Sequence, residues 1–127
     1  MNPTFDRQFQ EIAEKKVGEV RQAPLPSGGI LITVDNVQLP SGWNRDATSV
    51  RFVAPNGYPF AQPDCFWADE GLALENGLVP QASNNQPIPE INAPGTWFSW
   101  HVQQWNPSKD SLLAYFQVIK QRLQKAQ

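Results

Sequence analysis

The stretch from Val50 to Trp67 constrains the fold more than any other part of the chain. Its sequence is VRFVAPNGYPFAQPDCFW. It opens as a strand, because apolar Val50 and Phe52 alternate with polar neighbours at the period of a half-buried sheet. Residues 55–57, Pro-Asn-Gly, end this strand, since proline has no amide hydrogen to donate and Asn-Gly favours a turn.

A rigid link follows the strand. Pro59, in the pair Tyr58-Pro59, and Pro63 each fix their own φ and push the preceding residue towards extended geometry. Residues 65–67, Cys-Phe-Trp, then resume an extended aromatic run. We therefore expect two strands joined by a short, stiff crossing.

Hydrophobic periodicity assigns the rest of the chain. Phe5, Phe9 and Ile12 lie on one helical stripe, and Ile30, Ile32 and Val34 alternate as in a strand. We predict a helix over 3–16, followed by four strands. The strands cover 17–23 and 30–35, a stretch that begins at residue 50, and 65–67. A coil over 71–94 and a helix over 108–125 complete the chain. The last helix is given Ser108 as its N-cap and Asp110 in its first turn. Short connections favour an antiparallel meander, so the sequence predicts a single α+β domain over residues 1–127 with four strands.

Composition limits the classes of partner. A net charge of -2 and a pI near 5.3 argue against nucleic acid or an anionic membrane as the main partner. The single cysteine cannot form an internal disulfide, which is typical of the reducing cytoplasm. No charged-then-apolar leader opens the chain, and no apolar run reaches about 18 residues. We therefore expect a cytoplasmic protein that does not enter a membrane.

The order of these landmarks resembles the ubiquitin-conjugating-enzyme (UBC) fold. The Tyr58-Pro59 pair and Pro63 lie between two strands, and the Trp-Asn-Pro at 105–107 leads into the last helix. More narrowly, the chain is similar to a bacterial UBC-like family called prokaryotic family E. The narrower set is Pro55-Asn-Gly-Tyr-Pro59, Pro63-Asp64-x-Phe66-Trp67, Trp97-x-x-Trp100-His101, Trp105-x-Pro107 and Asp110. An ordered set of this kind is more specific than any single dipeptide.

The resemblance implies a pathway and also exposes a departure. It implies a ubiquitin-like protein and an adenylating activating enzyme as partners. Conjugating enzymes carry a nucleophilic cysteine several residues before the tryptophan of Trp-x-Pro, with a His-Pro-Asn segment upstream. Here residues 95–100 contain no cysteine, and His-Pro-Asn does not occur. Because a hydroxyl is a far weaker nucleophile than a thiolate, an ordinary thioester relay is disfavoured.

Cys65, the only thiol, has two interpretations. As a catalytic residue it would be a relocated nucleophile. As a small apolar side chain it would lie in the core, like the residue at the resembling position of conjugating enzymes. Its alternation with Phe66, and the lack of a nearby Lys, Arg or His that would lower its pKa, favour the core. Asp64 is expected to close a turn through its own backbone.

Ser99 and His101 form a second catalytic candidate. If residues 97–102 are extended, both side chains lie on one face, and a hydroxyl beside a base would support an oxyester. Positions two apart on a strand are too distant for an assured hydrogen bond, however, and no third group orients the pair. The alternative is that His101 binds the backbone and fastens the coil to the sheet.

Aromatic residues exceed what a small core usually needs. Those predicted to contact a partner are Trp97, Trp100, Trp105 and Phe66. The alternative is that most of them fill the space between the sheet, the coil and the last helix. One cysteine and one histidine cannot supply a tetrahedral zinc site, so the sequence predicts no metal and no cofactor.

Three functions follow from these patterns. The favoured one is a UBC-like protein of a bacterial ubiquitin-like pathway that lacks the usual catalytic cysteine and binds the ubiquitin-like protein or its activating enzyme. The second is an active transferase that uses Ser99 with His101, or Cys65. The third is a peptide-binding scaffold outside that pathway, since a fold alone does not fix a function.

Overall fold

The computed structural model describes residues 2–15 and 19–127, and in them two helices accompany a six-stranded antiparallel sheet. The elements are α1 (Pro3–Glu14), β1 (Val20–Pro24), β2 (Ile30–Gln38), β3 (Ala47–Ala54), β4 (Phe66–Ala68), β5 (Ser83–Asn85), β6 (Thr96–Phe98) and α2 (Leu112–Leu123). The strand order β1-β2-β3-β4-β6-β5 contains the predicted meander and confirms the α+β, UBC-like fold class. Residues 16–18, which the predictions for the first helix and first strand included, lie outside the described residues.

The sheet is larger than the four strands predicted. β6 pairs with β4 in the register Phe66↔Phe98, and β5 pairs with β6 in the register Asn84↔Trp97. β5 therefore lies inside the 71–94 segment that was predicted as coil. Its sequence, Ser-Asn-Asn, has low strand propensity, so its extended form depends on hydrogen bonds from β6.

Helix α1 is fixed at its start and along one face. The Asn2 side chain accepts a hydrogen bond from the Phe5 amide at 2.8 Å and donates to the Tyr58 carbonyl at 2.8 Å. The buried Gln8 carbonyl oxygen accepts from the Tyr58 hydroxyl and from the Leu112 amide, the latter at 3.2 Å. One buried amide thus joins α1, the Tyr-Pro crossing and the first residue of α2. The Tyr58–Pro59 peptide bond is cis.

Helix α2 begins three residues later than predicted. Ser111, not Ser108, is its N-cap, and its side chain accepts from the Ala114 amide at 3.1 Å. Asp110 precedes the helix and closes a turn, because its carboxylate accepts from the Asn106 amide at 2.7 Å. Each helix has 12 residues, and within the described ranges none is long and apolar enough to cross a membrane.

The sheet is buried on both faces. Alternate residues face the helices and form the main core, including Ile32, Phe52, Phe66 and Phe98. The intervening residues face the opposite side, where a smaller cluster is built from Leu25, Leu31, Trp67 and Ile88. The predicted alternation of Val50 and Phe52 is confirmed, since both are completely buried.

Candidate functional site

Cys65 lies immediately before β4, at the end of the Tyr-Pro crossing. Its φ of 66° is in the left-handed region, which is uncommon for a residue other than glycine. Its amide donates to the Trp100 carbonyl at 2.9 Å. The buried Tyr115 hydroxyl contacts the carbonyls of both Cys65 and Trp100, at 2.8 and 2.9 Å. Residues 65 and 100 are therefore held side by side.

The prediction that Cys65 lies in the core is wrong: the residue is only half-buried. The alternation on which the prediction depended begins at Phe66, where β4 begins, and the left-handed backbone at Cys65 turns its side chain out of that pattern.

Asp64 lies between the thiol and the histidine. Its Oδ1 atom is 3.6 Å from Cys65 Sγ and 3.6 Å from His101 Nδ1. Both ionisable partners of this pair are well exposed, with 59% of the Asp64 side chain and 47% of the His101 side chain accessible. A thiol, a carboxylate and an imidazole thus converge at one end of β4, which the sequence did not indicate.

The electrostatic environment of Cys65 favours the protonated thiol over the thiolate. Burial raises the pKa of its thiol above the ordinary value, and the neighbouring Asp64 carboxylate raises it further. Hydrogen bonds from Trp100 and Trp97 act in the opposite direction but do not reverse the shift. Because the thiolate is the nucleophile, a thiol with a raised pKa is poorly reactive at neutral pH.

Ser99 and His101 are not aligned on one strand. β6 ends at Phe98, so the extended run over 97–102 on which their pairing depended does not form. Both side chains are exposed, and the Ser99 amide donates to the Ala82 carbonyl at 2.8 Å. In residues 2–15 and 19–127 the Ser99 hydroxyl makes no hydrogen bond to His101, which instead lies beside Asp64.

The four aromatic residues predicted to contact a partner occupy different environments. Phe66 is completely buried and stacks on Phe98 with a centroid distance of 4.8 Å, so its ring is not presented to a partner. Trp105 is half-buried, and its indole donates to the Pro59 carbonyl at 2.7 Å. Trp97 and Trp100 are also half-buried and flank the Cys65 site. These three tryptophans keep some accessible surface.

Phe60 is an exposed aromatic residue that the sequence analysis did not single out. Its side chain is 83% exposed, in the crossing between Pro59 and Pro63. It borders a cleft of ≈460 Å³ between α1 and the segment before α2. The cleft is lined by Thr4, Arg7, Gln8, Glu11, Pro59, Phe60 and residues 107–111. The sequence did contain a signal, because a bulky ring in a crossing stiffened by prolines has little freedom to turn inward.

In the part of the chain that the structure describes, no group of three or more His, Cys, Asp or Glu side chains is arranged so that it could hold a metal ion. The candidate chemistry is therefore that of Cys65, Asp64 and His101 alone, beside an aromatic surface.

The comparison with protein families decides the ancestry. The model of the family described as Prokaryotic E2 family E matches residues 3–126. The chain belongs to prokaryotic E2 family E. It is thus a bacterial UBC-like protein of a prokaryotic conjugation pathway, as the landmarks around Tyr58-Pro59 and Trp105 predicted. No curated protein and no solved structure matches it.

In this E2 family E protein, residues 95–100, where the resemblance to conjugating enzymes would place the nucleophilic cysteine, contain no thiol. Residues 95–100 contain β6, which pairs with β4. Cys65 lies beside this segment, because its amide donates to the Trp100 carbonyl at 2.9 Å. The sulfur therefore lies beside residues 95–100 but is carried by the connection that precedes β4.

Proposed function

We propose that this E2 family E protein acts by non-covalent binding in a bacterial ubiquitin-like modification pathway. It holds the ubiquitin-like protein or the activating enzyme without forming a thioester. The observation that carries this proposal is the state of the only cysteine, Cys65, whose pKa is raised by burial and by Asp64. A binding protein needs no thiolate, whereas a thioester relay does.

The surface around Phe60 supports a binding role. A large apolar ring that is 83% exposed contributes little to the stability of its own fold and is typical of an interface anchor. Charged side chains of both signs surround it in the cleft, with Arg7 and Glu11 on α1 and Lys109 before α2. An apolar anchor with a mixed polar rim is the usual composition of a protein interface.

The test is a titration with an adenylating activating enzyme and a ubiquitin-like protein from the same bacterium. Replacing Phe60 with alanine removes the anchor, and we expect binding of the partner to weaken by about tenfold or more. The fold tolerates the change, because the side chain makes little contact with the core.

The matched control is Leu78→Ala, which truncates a 62% exposed apolar residue in the 71–94 segment. We expect this variant to bind as the wild type does. If the wild type and the Phe60→Ala variant bind each of the two partners with equal affinity, the Phe60 surface is not the binding site.

A transferase is the second candidate, and the convergence at Asp64 favours it. In such a reaction the Cys65 proton would pass to His101 by way of Asp64. The sulfur would then bond to the C-terminal carbonyl carbon of the ubiquitin-like protein, and the thiolate of the activating enzyme would leave. The two distances of 3.6 Å at Asp64 are longer than good hydrogen bonds but can shorten when a partner binds.

The site residue of a transferase can be identified from the adduct. A thioester on Cys65 is cleaved by reducing agents and is lost in Cys65→Ala. An oxyester on Ser99 resists reduction, is cleaved by hydroxide and is lost in Ser99→Ala. Dependence on His101 would be shown by a lower rate of adduct formation in His101→Gln. If none of the three substitutions changes the adduct, this transferase mechanism is wrong.

A further inference from the structure

Residues 86–94, here called the flap, fold back over the outer face of the sheet. The flap is a tight loop closed by the Ile88↔Ala93 bridge, in which the Ile88 amide donates to the Ala93 carbonyl at 2.7 Å. Ile88 is completely buried against Leu25, Leu31 and Trp67, whereas most other flap residues are exposed. One apolar side chain thus anchors the loop.

A single side chain connects the flap to the β1–β2 turn. The Glu90 carboxylate accepts the Ser27 amide at 2.7 Å through one oxygen and the Ser27 hydroxyl at 2.9 Å through the other. Both residues are exposed to solvent. In the described residues, the flap's other hydrogen bonds are internal or run from Gln86 to Gly95 at its base. The pair Glu90 and Ser27 therefore acts as a latch at the tip.

The closed position of the flap has two features that raise its free energy. Glu90 has a φ of 70°, in the left-handed region that residues other than glycine, asparagine and aspartate seldom adopt. Trp67, which packs in the same cluster as Ile88, is only 6% exposed, and its indole Nε1 has no hydrogen-bond acceptor among the described residues. The ring atom next to this nitrogen, Cδ1, lies close to Gly95 at the base of the flap, because a Cβ added to Gly95 would be 3.3 Å from it. A buried donor without an acceptor disfavours the state that buries it.

We propose that the flap is a displaceable cover on the sheet, held closed by the Glu90–Ser27 latch. When the latch opens, Ile88 leaves its site and the Trp67 indole becomes accessible together with the neighbouring apolar residues Leu31 and Val53. This inference does not depend on the proposed function, because it concerns the opposite side of the sheet from the helices.

The test is hydrogen exchange of the indole N–H groups, followed by NMR on the intact protein. The Trp67 resonance reports flap opening. The Trp43 indole is an internal control, since it is also buried but donates to the Leu123 carbonyl at 2.8 Å in the helix-side core. In Glu90→Ala we expect exchange at Trp67 to rise about fivefold, because both solvent-exposed hydrogen bonds to Ser27 are lost, and exchange at Trp43 to stay unchanged.

Two further variants test whether exchange at Trp67 depends on the latch. Ser27→Asp places a carboxylate opposite Glu90 and should accelerate exchange at Trp67 in the same way. Glu75→Ala removes an exposed carboxylate from another turn and should leave both indoles unchanged. The proposal is overturned if Glu90→Ala leaves the Trp67 rate unchanged, or if it accelerates Trp67 and Trp43 equally, because exchange would then not depend on the latch.

Discussion

Removal of the Tyr115 hydroxyl tests how the Cys65 site is held together. In Tyr115→Phe the ring remains against Phe52, at a centroid distance of 5.3 Å, and only the hydroxyl is lost. The Trp100 carbonyl keeps the Cys65 amide as a donor, but the Cys65 carbonyl loses the Tyr115 donor. Loss of a buried hydrogen bond that leaves one partner unsatisfied costs about 1–3 kcal/mol.

Urea unfolding followed by circular dichroism measures this cost. With a denaturant slope of about 1–3 kcal/mol per molar, a loss of about 2 kcal/mol lowers the unfolding midpoint by about 1 M. Ser99→Ala removes an exposed hydroxyl and is the control, with a change expected within about 0.5 kcal/mol. We also expect faster alkylation of Cys65 in Tyr115→Phe. An unchanged midpoint, together with an unchanged alkylation rate, would refute the role assigned to the Tyr115 hydroxyl.

Two further predictions concern charge and capping. Burial and, after it, the Asp64 carboxylate raise the pKa of Cys65. Asp64→Asn should therefore lower that pKa and shift the pH profile of iodoacetamide alkylation to lower pH. An unshifted profile would show that the carboxylate has no influence on the thiol. Ser111→Ala should reduce the free energy of unfolding by about 0.5–2 kcal/mol, whereas Ser108→Ala should change it by less than about 0.5 kcal/mol. The reverse order of these two values would restore Ser108 as the N-cap.

The fold was predictable where the local pattern agreed with the tertiary contacts. The alternation of Ile30, Ile32 and Val34 correctly predicted the strand β2. The turn residues at 55–57 correctly predicted where β3 ends. The family was predictable for a different reason: the ordered motifs that include Tyr58-Pro59 and the Trp-Asn-Pro at 105–107 resemble it. The structure joins these two motifs directly through the Trp105 indole and the Pro59 carbonyl.

The start of α2 could not be chosen from the sequence. Ser108 and Ser111 both precede an apolar stripe and are equally good caps. The turn that decides between them is closed by two local bonds, from the Asn106 amide to Asp110 and from the Ser108 amide to the Asn106 side chain at 2.9 Å. Side-chain bonds of this kind compete with helix formation and are not visible as periodicity.

The candidate site was only partly predictable. Cys65 and His101 were identified because each is the only residue of its type, but their link through Asp64 depends on two segments that are far apart in the sequence. Ile88 was expected to help hold the 71–94 segment on the body of the protein, but the cluster it joins was not predictable, because Ile88 stands between prolines in a segment without periodicity. Tertiary packing, not local propensity, places both.

The most direct test of the central claim is the intact mass of this chain after incubation with the activating enzyme, the ubiquitin-like protein and ATP under non-reducing conditions. Because burial and Asp64 raise the pKa of the Cys65 thiol and residues 95–100 offer no other thiol, we predict the unmodified mass, with the partner recovered in a non-covalent complex. A mass increased by one ubiquitin-like protein, and absent in Cys65→Ala or Ser99→Ala, would contradict the binding role and establish a transferase.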